Sequence, residues 1–384
     1  MLKVLHIIPS LAKGGAERLV ADICSNLAKQ QLAEVLLVVM SKENEYAYLT
    51  AGTSIVQCSS RVVPSISGKS KVDIAAFMEI VKTFGPHIIH SHLFEAELLS
   101  RWETVDGVAY ISHCHNNIKQ LKRRSPQDIK RKVDLTEAYE RQLMIKKYRK
   151  CHNHFIAISS DTELFLKKNL PKDLHRIMLL SNAVDVERFK RPADFKREQT
   201  GHDMIRLVNT GSFVDNKNQA FLIDVALSLK QRGYLVNFDL LGDGPNRSKI
   251  ENKIKDNGLY SSVFCHGSVD NVEEYLHNAD IYVHAALSEA FGLVLIEAMA
   301  AGLPVICLDG IGNRDIVEEG KNGFMITGQD PELFADKILQ LHHDIKLYTE
   351  MSGYTQHFAG KYDMKQYVVR LSEYYQSLLK TDQK

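Results

Sequence analysis

The stretch DIYVHAALSEAFGLVLIEAMAAGLPVICLD, residues 280–309, reads as strand, loop, helix and strand in one short run. DIYVHA (280–285) and PVICLD (304–309) are short, nearly continuous apolar segments, the signature of strands buried on both faces of a parallel sheet. Between them Gly292 opens the apolar run LVLIEAMAA, and Gly302 with Pro304 closes it, which is how a helix is punctuated. Two carboxylates stand in this apolar setting, Glu289 in the loop and Glu297 near the second helical turn. Carboxylates are costly to bury without partners, so the pair asks for a chemical reason.

The same alternation runs outward in both directions. LKVLHII (2–8) reads as a strand, followed by a loop with Gly14 and Gly15 and a helix from about residue 16 to residue 30. Further strands are expected at EVLLVVM (34–40), HIIHSH (87–92), VAYISH (108–113) and HFIAIS (from 154), with a helix at DIAAFMEIVKTFG (73–85). A second series follows with IRLVNTG (205–211), the helix NQAFLIDVALSLKQRG, LVNFDLLGDGP (235–245) and VFCHG (263–267). The expected fold class is α/β, with two successive Rossmann-like domains facing each other across a cleft. The first domain is placed at 1–190, the polar stretch 191–204 is read as a linker, and the second domain is placed at 205–360. Residues 361–384 read as a terminal amphipathic helix.

Composition narrows the function classes. The 384 residues exceed one typical core, and 48 Lys and Arg nearly balance 47 Asp and Glu, so no global charge points to nucleic acid. Six scattered cysteines without a CxxC pair suit reduced thiols in a cytoplasmic protein and exclude a zinc ribbon. No stretch approaches the roughly 20 apolar residues of a spanning helix, so a soluble protein, or one peripheral at the inner face of a membrane, is expected.

If helical throughout, the eight residues from Glu289 to Glu297 would span roughly 12 Å, whereas paired glycosidase carboxylates stand about 5–5.5 or 6.5–9.5 Å apart. An acid–base pair is therefore disfavoured. The helix N-terminus at Gly292 and Leu293 offers free N–H groups and a positive dipole end, a seat for phosphate. A carboxylate before that seat and another inside the helix could accept hydrogen bonds from sugar hydroxyls on either side. That arrangement fits a nucleotide sugar.

SEAFGLVLIEAMAAGLPV (288–305) resembles the E-x7-E signature of the retaining glycosyltransferases of family four, which have the GT-B fold. The likeness extends through GGAE (14–17), SNAVD (181–185), TGSFVDNKN (210–218), LLGDGP (240–245) and NADIYVHAALSE (278–289). The resemblance implies that Glu297 binds the ribose and Glu289 the donor-sugar hydroxyls. The backbone of Phe291, Gly292 and Leu293 would meet the diphosphate, with Gly14 and Gly15 closing over it. Gly211 and Ser212 fall in the donor loop, and Lys217 matches the lysine that neutralises the leaving diphosphate. Ser212 stands where the family carries arginine, a departure that removes a permanent charge and a bidentate donor. His115 matches a histidine near the reacting sugar, with His113 the neighbouring alternative. The implied activity moves a sugar from a UDP- or GDP-sugar to a hydroxyl of a glycan or lipid-linked acceptor, without metal or other cofactor. A nucleotide-sugar 2-epimerase and a non-catalytic sugar-nucleotide-binding subunit are the alternatives.

The histidines recur as HSH (90–92), HCHN (113–116) and HNH (152–154). A spacing of two puts both rings on one face of a strand, yet no third and fourth ligand stands at a recognisable metal spacing, so no metal is expected. The basic segment 118–150 carries twelve Lys and Arg against four Asp and Glu. It is read either as a solvated helix face or as a patch for anionic lipid or a lipid diphosphate acceptor. The residues singled out are Lys119, Lys122, Arg123, Arg124, Lys130, Arg131 and Lys132. No aromatic platform accompanies it, which disfavours nucleic acid.

Overall fold

The computed structural model describes residues 1–66, 69–195 and 204–381. They divide into two compact units, Met1–Ala183 together with Met364–Lys384, and Val184–Asp363. In the first unit the order is β1 (Lys3–Ile8), α1 (Gly15–Lys29), β2 (Glu34–Val39), β3 (Ser54–Gln57), β4 (Arg61–Val63), β5 (Lys71–Asp73), α2 (Ala75–Phe84), β6 (Ile88–His92) and α3 (Phe94–Ser100). It continues with β7 (Ala109–Cys114), α4 (Lys132–Lys150), β8 (His154–Ala157), α5 (Ser160–Asn169) and β9 (Ile177–Leu179). The strands form a sheet of order β3-β2-β1-β6-β7-β8-β9, in which every pairing is parallel, with β4 and β5 a separate antiparallel ribbon.

The second unit contains α6 (Val186–Phe189), β10 (Met204–Thr210), α7 (Gln219–Gln231), β11 (Leu235–Leu241), α8 (Arg247–Asp256), β12 (Val263–Gly267), α9 (Val272–Asn278) and β13 (Ile281–His284). Then come α10 (Leu293–Ala300), β14 (Val305–Leu308), β15 (Gly323–Ile326), α11 (Pro331–His343) and α12 (Ile345–Ala359). Its sheet has the order β12-β11-β10-β13-β14-β15, again all parallel. The apolar runs form the central strands because both faces are covered: β13 and β14 are buried at every residue. Each sheet is a Rossmann-like layer whose strand order reverses once, between β1 and β6 and between β10 and β13.

The last helix, α13 (Met364–Thr381), belongs to the first unit. Its Met364, Tyr367, Val368, Leu371, Tyr375 and Leu378 join the core formed by β1, β2 and α1. Each such burial contributes about 1.5–3 kcal/mol.

The units divide between Ala183 and Val184, before the polar stretch 191–204 expected as the linker, of which 196–203 lie outside the described residues. Residues 184–190 are held by the second unit. The Val184 N–H donates to the Tyr362 carbonyl at 2.9 Å, and Val184 bridges Asp363. Phe189 is fully buried, and the Arg188 guanidinium donates to the Glu273 carboxylate and the Asp270 carbonyl. No helix among the described residues is long and apolar enough to cross a membrane.

Candidate functional site

Open parallel sheets bind ligands beyond the carboxyl ends of their strands, where the strand order reverses. In the second unit that point is flanked by the loops after β10 and β13, and these loops are tied together. The Leu287 N–H donates to the Asn216 carbonyl at 2.8 Å, and the Asn216 side-chain amide to the Ser288 carbonyl at 2.7 Å. The loop after β14 joins them through Glu289 N–H to Gly310 carbonyl, 2.7 Å, and Gly312 N–H to Glu289 carbonyl, 3.1 Å. Glu289 is thus fixed by its backbone on a surface built from three strand ends.

Its carboxylate is fixed as well. The Lys217 ammonium, on the turn Asp215–Lys217 after β10, donates to Glu289 Oε1, and His284 Nε2, at the end of β13, lies 3.0 Å from the same oxygen. Burial alone would push the Glu289 carboxyl up. The His284 hydrogen bond and the Lys217 charge outweigh it, and the group falls to about 2. Burial holds His284 below its ordinary value, which leaves it a neutral donor through Nε2. Glu289 is therefore an anion that accepts hydrogen bonds, with no proton to give at neutral pH.

Gly292 caps α10 with φ 74°, in the left-handed region that favours glycine, and no side chain caps the helix start. Leu293 and Val294 are partly exposed there, so their N–H groups keep the character of an anion seat. Phe291 is buried, its ring 5.7 Å from that of Tyr362, and anchors the loop. Glu297 follows inside α10, only 7% exposed. Gly211 opens the loop after β10, and Ser212 is exposed beside it. The LLGDGP glycines have a packing reason: at Gly242, φ 144°, a Cβ would lie 2.0 Å from the Gly211 carbonyl oxygen. That close approach lets the β11 loop brace the β10 loop through the Phe213 N–H, which donates to the Asp243 carbonyl at 2.9 Å.

In the first unit, Gly14 precedes α1 and exchanges backbone hydrogen bonds with the Tyr46 hydroxyl at 2.9 and 3.0 Å; Gly15 is the first helical residue. His115 follows β7 and is only 8% exposed. It belongs to a cluster that the HxH spacing alone did not reveal. The β1–β6 register sets His6 beside His90, and the β6–β7 register sets His92 beside His113. The alternate residues Ser91 and Ser112 bond the buried Arg101 guanidinium instead. His6, His90, His92, His113 and His115 are all buried, and burial holds each well below the ordinary histidine range.

The ligand atoms of His6–His90–His92, and of His92–His113–His115, lie within 4.8 Å of one another. This corrects the expectation that no third ligand accompanies the HxH pairs: strand register supplies it. His152 and His154 do not join the cluster; His152 is exposed and His154 meets Tyr374. A cavity of about 620 Å³ beside α2 is lined by Gly85, Pro86 and Val105–Val108, at the amino ends of β6 and β7, away from the histidines.

The basic residues are divided. Lys119, Lys122, Arg123, Lys130 and Lys132 are exposed, whereas Arg124 and Arg131 are bound to Asp134, and Arg124 also to Glu137. Ile129, Val133 and Leu135 are exposed among them. Reading the sequence missed His284 and His6. His284 carried a signal in its place, the last residue of a buried strand five positions before Glu289.

Residues 13–188 match the family model described as Glycosyltransferase Family 4, and residues 190–358 match that of Glycosyl transferases group 1. The "Putative glycosyltransferase EpsF" of Bacillus subtilis is 27% identical over 322 residues, 81% of this chain and 80% of its own. The poly(ribitol-phosphate) alpha-N-acetylglucosaminyltransferase of Staphylococcus aureus is 31% identical over 182 residues, 47% of this chain and 35% of its own. Among solved structures, Anabaena Alr3699/HepE in complex with UDP and glucose superposes with a TM-score of 0.76 at 17% identity, covering 98% of this chain and 100% of that one. A glycosyltransferase from Rickettsia africae gives 0.78 at 16% identity, covering 99% of each. The fold is GT-B.

Proposed function

Because the chain belongs to the family-four glycosyltransferases, we propose that it is a retaining enzyme. It moves a sugar from a UDP- or GDP-sugar to a hydroxyl of a glycan or lipid-linked acceptor during cell-surface polysaccharide or glycolipid synthesis. The observation that carries the reading is the Lys217–Glu289–His284 constellation beside the uncapped start of α10.

In this reading the diphosphate lies on the Gly292–Leu293 backbone, with Gly211 and Ser212 lining its loop and Lys217 neutralising it. Glu297 takes the ribose hydroxyls and Glu289 the sugar hydroxyls. As the acceptor oxygen bonds to the anomeric carbon, the bond to the phosphate oxygen breaks on the same face, and that oxygen takes the acceptor proton. The protein contributes positioning and charge. The same reading assigns Gly14 and Gly15 to the diphosphate and His115 to orienting the reacting sugars. Support for the donor assignment comes from the relative solved with UDP and glucose. Support for a surface-polymer acceptor comes from the poly(ribitol-phosphate) enzyme.

The test is turnover of UDP- and GDP-hexoses with a panel of glycan and lipid-linked acceptors, read by NMR of the new anomeric proton, with and without EDTA. The expected product keeps the donor's anomeric configuration, and EDTA leaves the rate unchanged. An inverted product, or a sugar altered with no acceptor present, contradicts the proposal.

A further inference from the structure

The proposed reaction gives His115 a role but leaves the buried His6, His90, His92 and His113 without one. His115, His92, His6 and His90, with one tyrosine, form an unbroken hydrogen-bonded chain. His115 Nε2 lies 2.9 Å from His92 Nδ1, and His92 Nε2 lies 3.0 Å from His6 Nδ1. His6 Nε2 is 3.4 Å from the Tyr375 hydroxyl, which is 2.6 Å from His90 Nδ1. His113 stacks between His90 and His115, at centroid distances of 5.2 and 4.4 Å with interplanar angles of 9° and 6°.

A neutral imidazole has one donor and one acceptor nitrogen, so the protons of such a chain all point one way. If Tyr375 donates to His90, it accepts from His6, and His6, His92 and His115 each carry the proton on Nε2. The remaining His115 nitrogen, Nδ1, is then a bare acceptor. If the chain reverses, every proton moves to Nδ1 and His115 becomes a donor there. Hydroxyl donors sit closer to their acceptors than N–H donors do. The short contact to His90 and the long one to His6 therefore select the first direction.

We propose that Tyr375, on the C-terminal helix, is a positioning residue that acts through His6 and His92 to keep the proton of His115 on Nε2. His115 Nδ1 is thereby set to accept a hydrogen bond from a sugar hydroxyl. The proposal rests on the role given to His115 above. The same nitrogens could instead hold a divalent metal. However, the two candidate groups contain no carboxylate, and the buried Arg101 guanidinium acts on His90 in the sense that disfavours a cation. A dication buried without a counter-charge is costly.

The test uses the full chain labelled with 15N-histidine, since long-range 1H–15N spectra distinguish a protonated from a bare ring nitrogen. The His115 signals are identified by their loss in His115→Gln. The expected wild-type spectrum shows His115 as a single Nε2–H tautomer. Tyr375→Phe, which removes one oxygen, and His92→Phe, which cuts the chain midway, should both introduce the Nδ1–H form. Turnover in Tyr375→Phe should fall about tenfold at little-changed donor KM.

A wild-type proton on Nδ1, or an unaltered tautomer in a folded Tyr375→Phe, overturns the proposal. So does equimolar Zn²⁺ displacing the resonances of all five histidines, which would assign the cluster to a metal. Wild-type turnover in His115→Gln, with the tautomer effect of Tyr375→Phe intact, would instead refute the catalytic role of His115 and leave the chain standing.

Discussion

Glu289 shows how much chemistry one side chain can be committed to before a ligand arrives. Its ammonium and imidazole partners hold it ionised down to about pH 2. Because the folded value is depressed, the stability this group contributes is present above its ordinary carboxyl range and is lost as pH falls toward 2. Glu289→Gln should therefore flatten the acid arm of the stability–pH curve and cost about 1.5–3 kcal/mol at neutral pH. It should also lower turnover ~100-fold or more, as losing a preorganised polar contact does. Denaturant unfolding between pH 3 and 7, with parallel rate measurements, checks both; an unchanged acid arm with wild-type rates would remove Glu289 from the site. Ser212 is the residue where the family pattern departs, and Lys217 is then the cation assigned to the diphosphate in that loop.

The apolar runs were legible as strands because β13, β14, β6 and β7 are buried on both faces and contain almost nothing but apolar residues and short polar alternations. The edge strands β3 and β9 were not legible: β3 is exposed at every residue, and β9, though apolar, is only three residues long, too short to show a pattern. The start of α4 and the turns before it present six exposed basic side chains, Arg131 among them, beside Ile129, Val133 and Leu135. That mixture suits an anionic lipid surface, at about 1 kcal/mol per basic residue. Arg124 and Arg131 should add less, since Asp134 already holds them. Changing Lys119, Lys122, Arg123, Lys130 and Lys132 to Gln should reduce pelleting with vesicles of anionic phospholipid and leave Arg124→Gln nearly silent. Equal pelleting of all the proteins would leave this face as solvated surface.

Across the whole molecule, the second sheet sets Ser212 and Glu289 after the two strands of its order reversal, whereas the first sets Gly14 after β1 at the reversal and His115 after β7, one strand beyond it. Glu289, Gly292, Leu293 and Glu297 could be singled out together from the sequence because they lie within one βαβ unit. The histidine chain was not readable, because its key contact joins His6 to Tyr375 across 369 residues, and only the docking of α13 creates it. The contact boundary falls at Val184, ahead of the polar stretch, for a related reason: Val184, Arg188 and Phe189 are held by tertiary partners that no local composition announces.

In the proposed function the second unit holds a nucleoside diphosphate sugar between Glu297 and Glu289. Thermal unfolding of the full chain with UDP, GDP and their hexose conjugates tests it most directly, with wild type and Glu297→Gln side by side. A ligand at about 100 times its Kd adds about 2.7 kcal/mol, so the wild-type Tm should rise by about 5 °C or more with one nucleotide family. The rise should vanish in Glu297→Gln. No shift with any nucleotide, or an equal shift in the variant, would contradict the account.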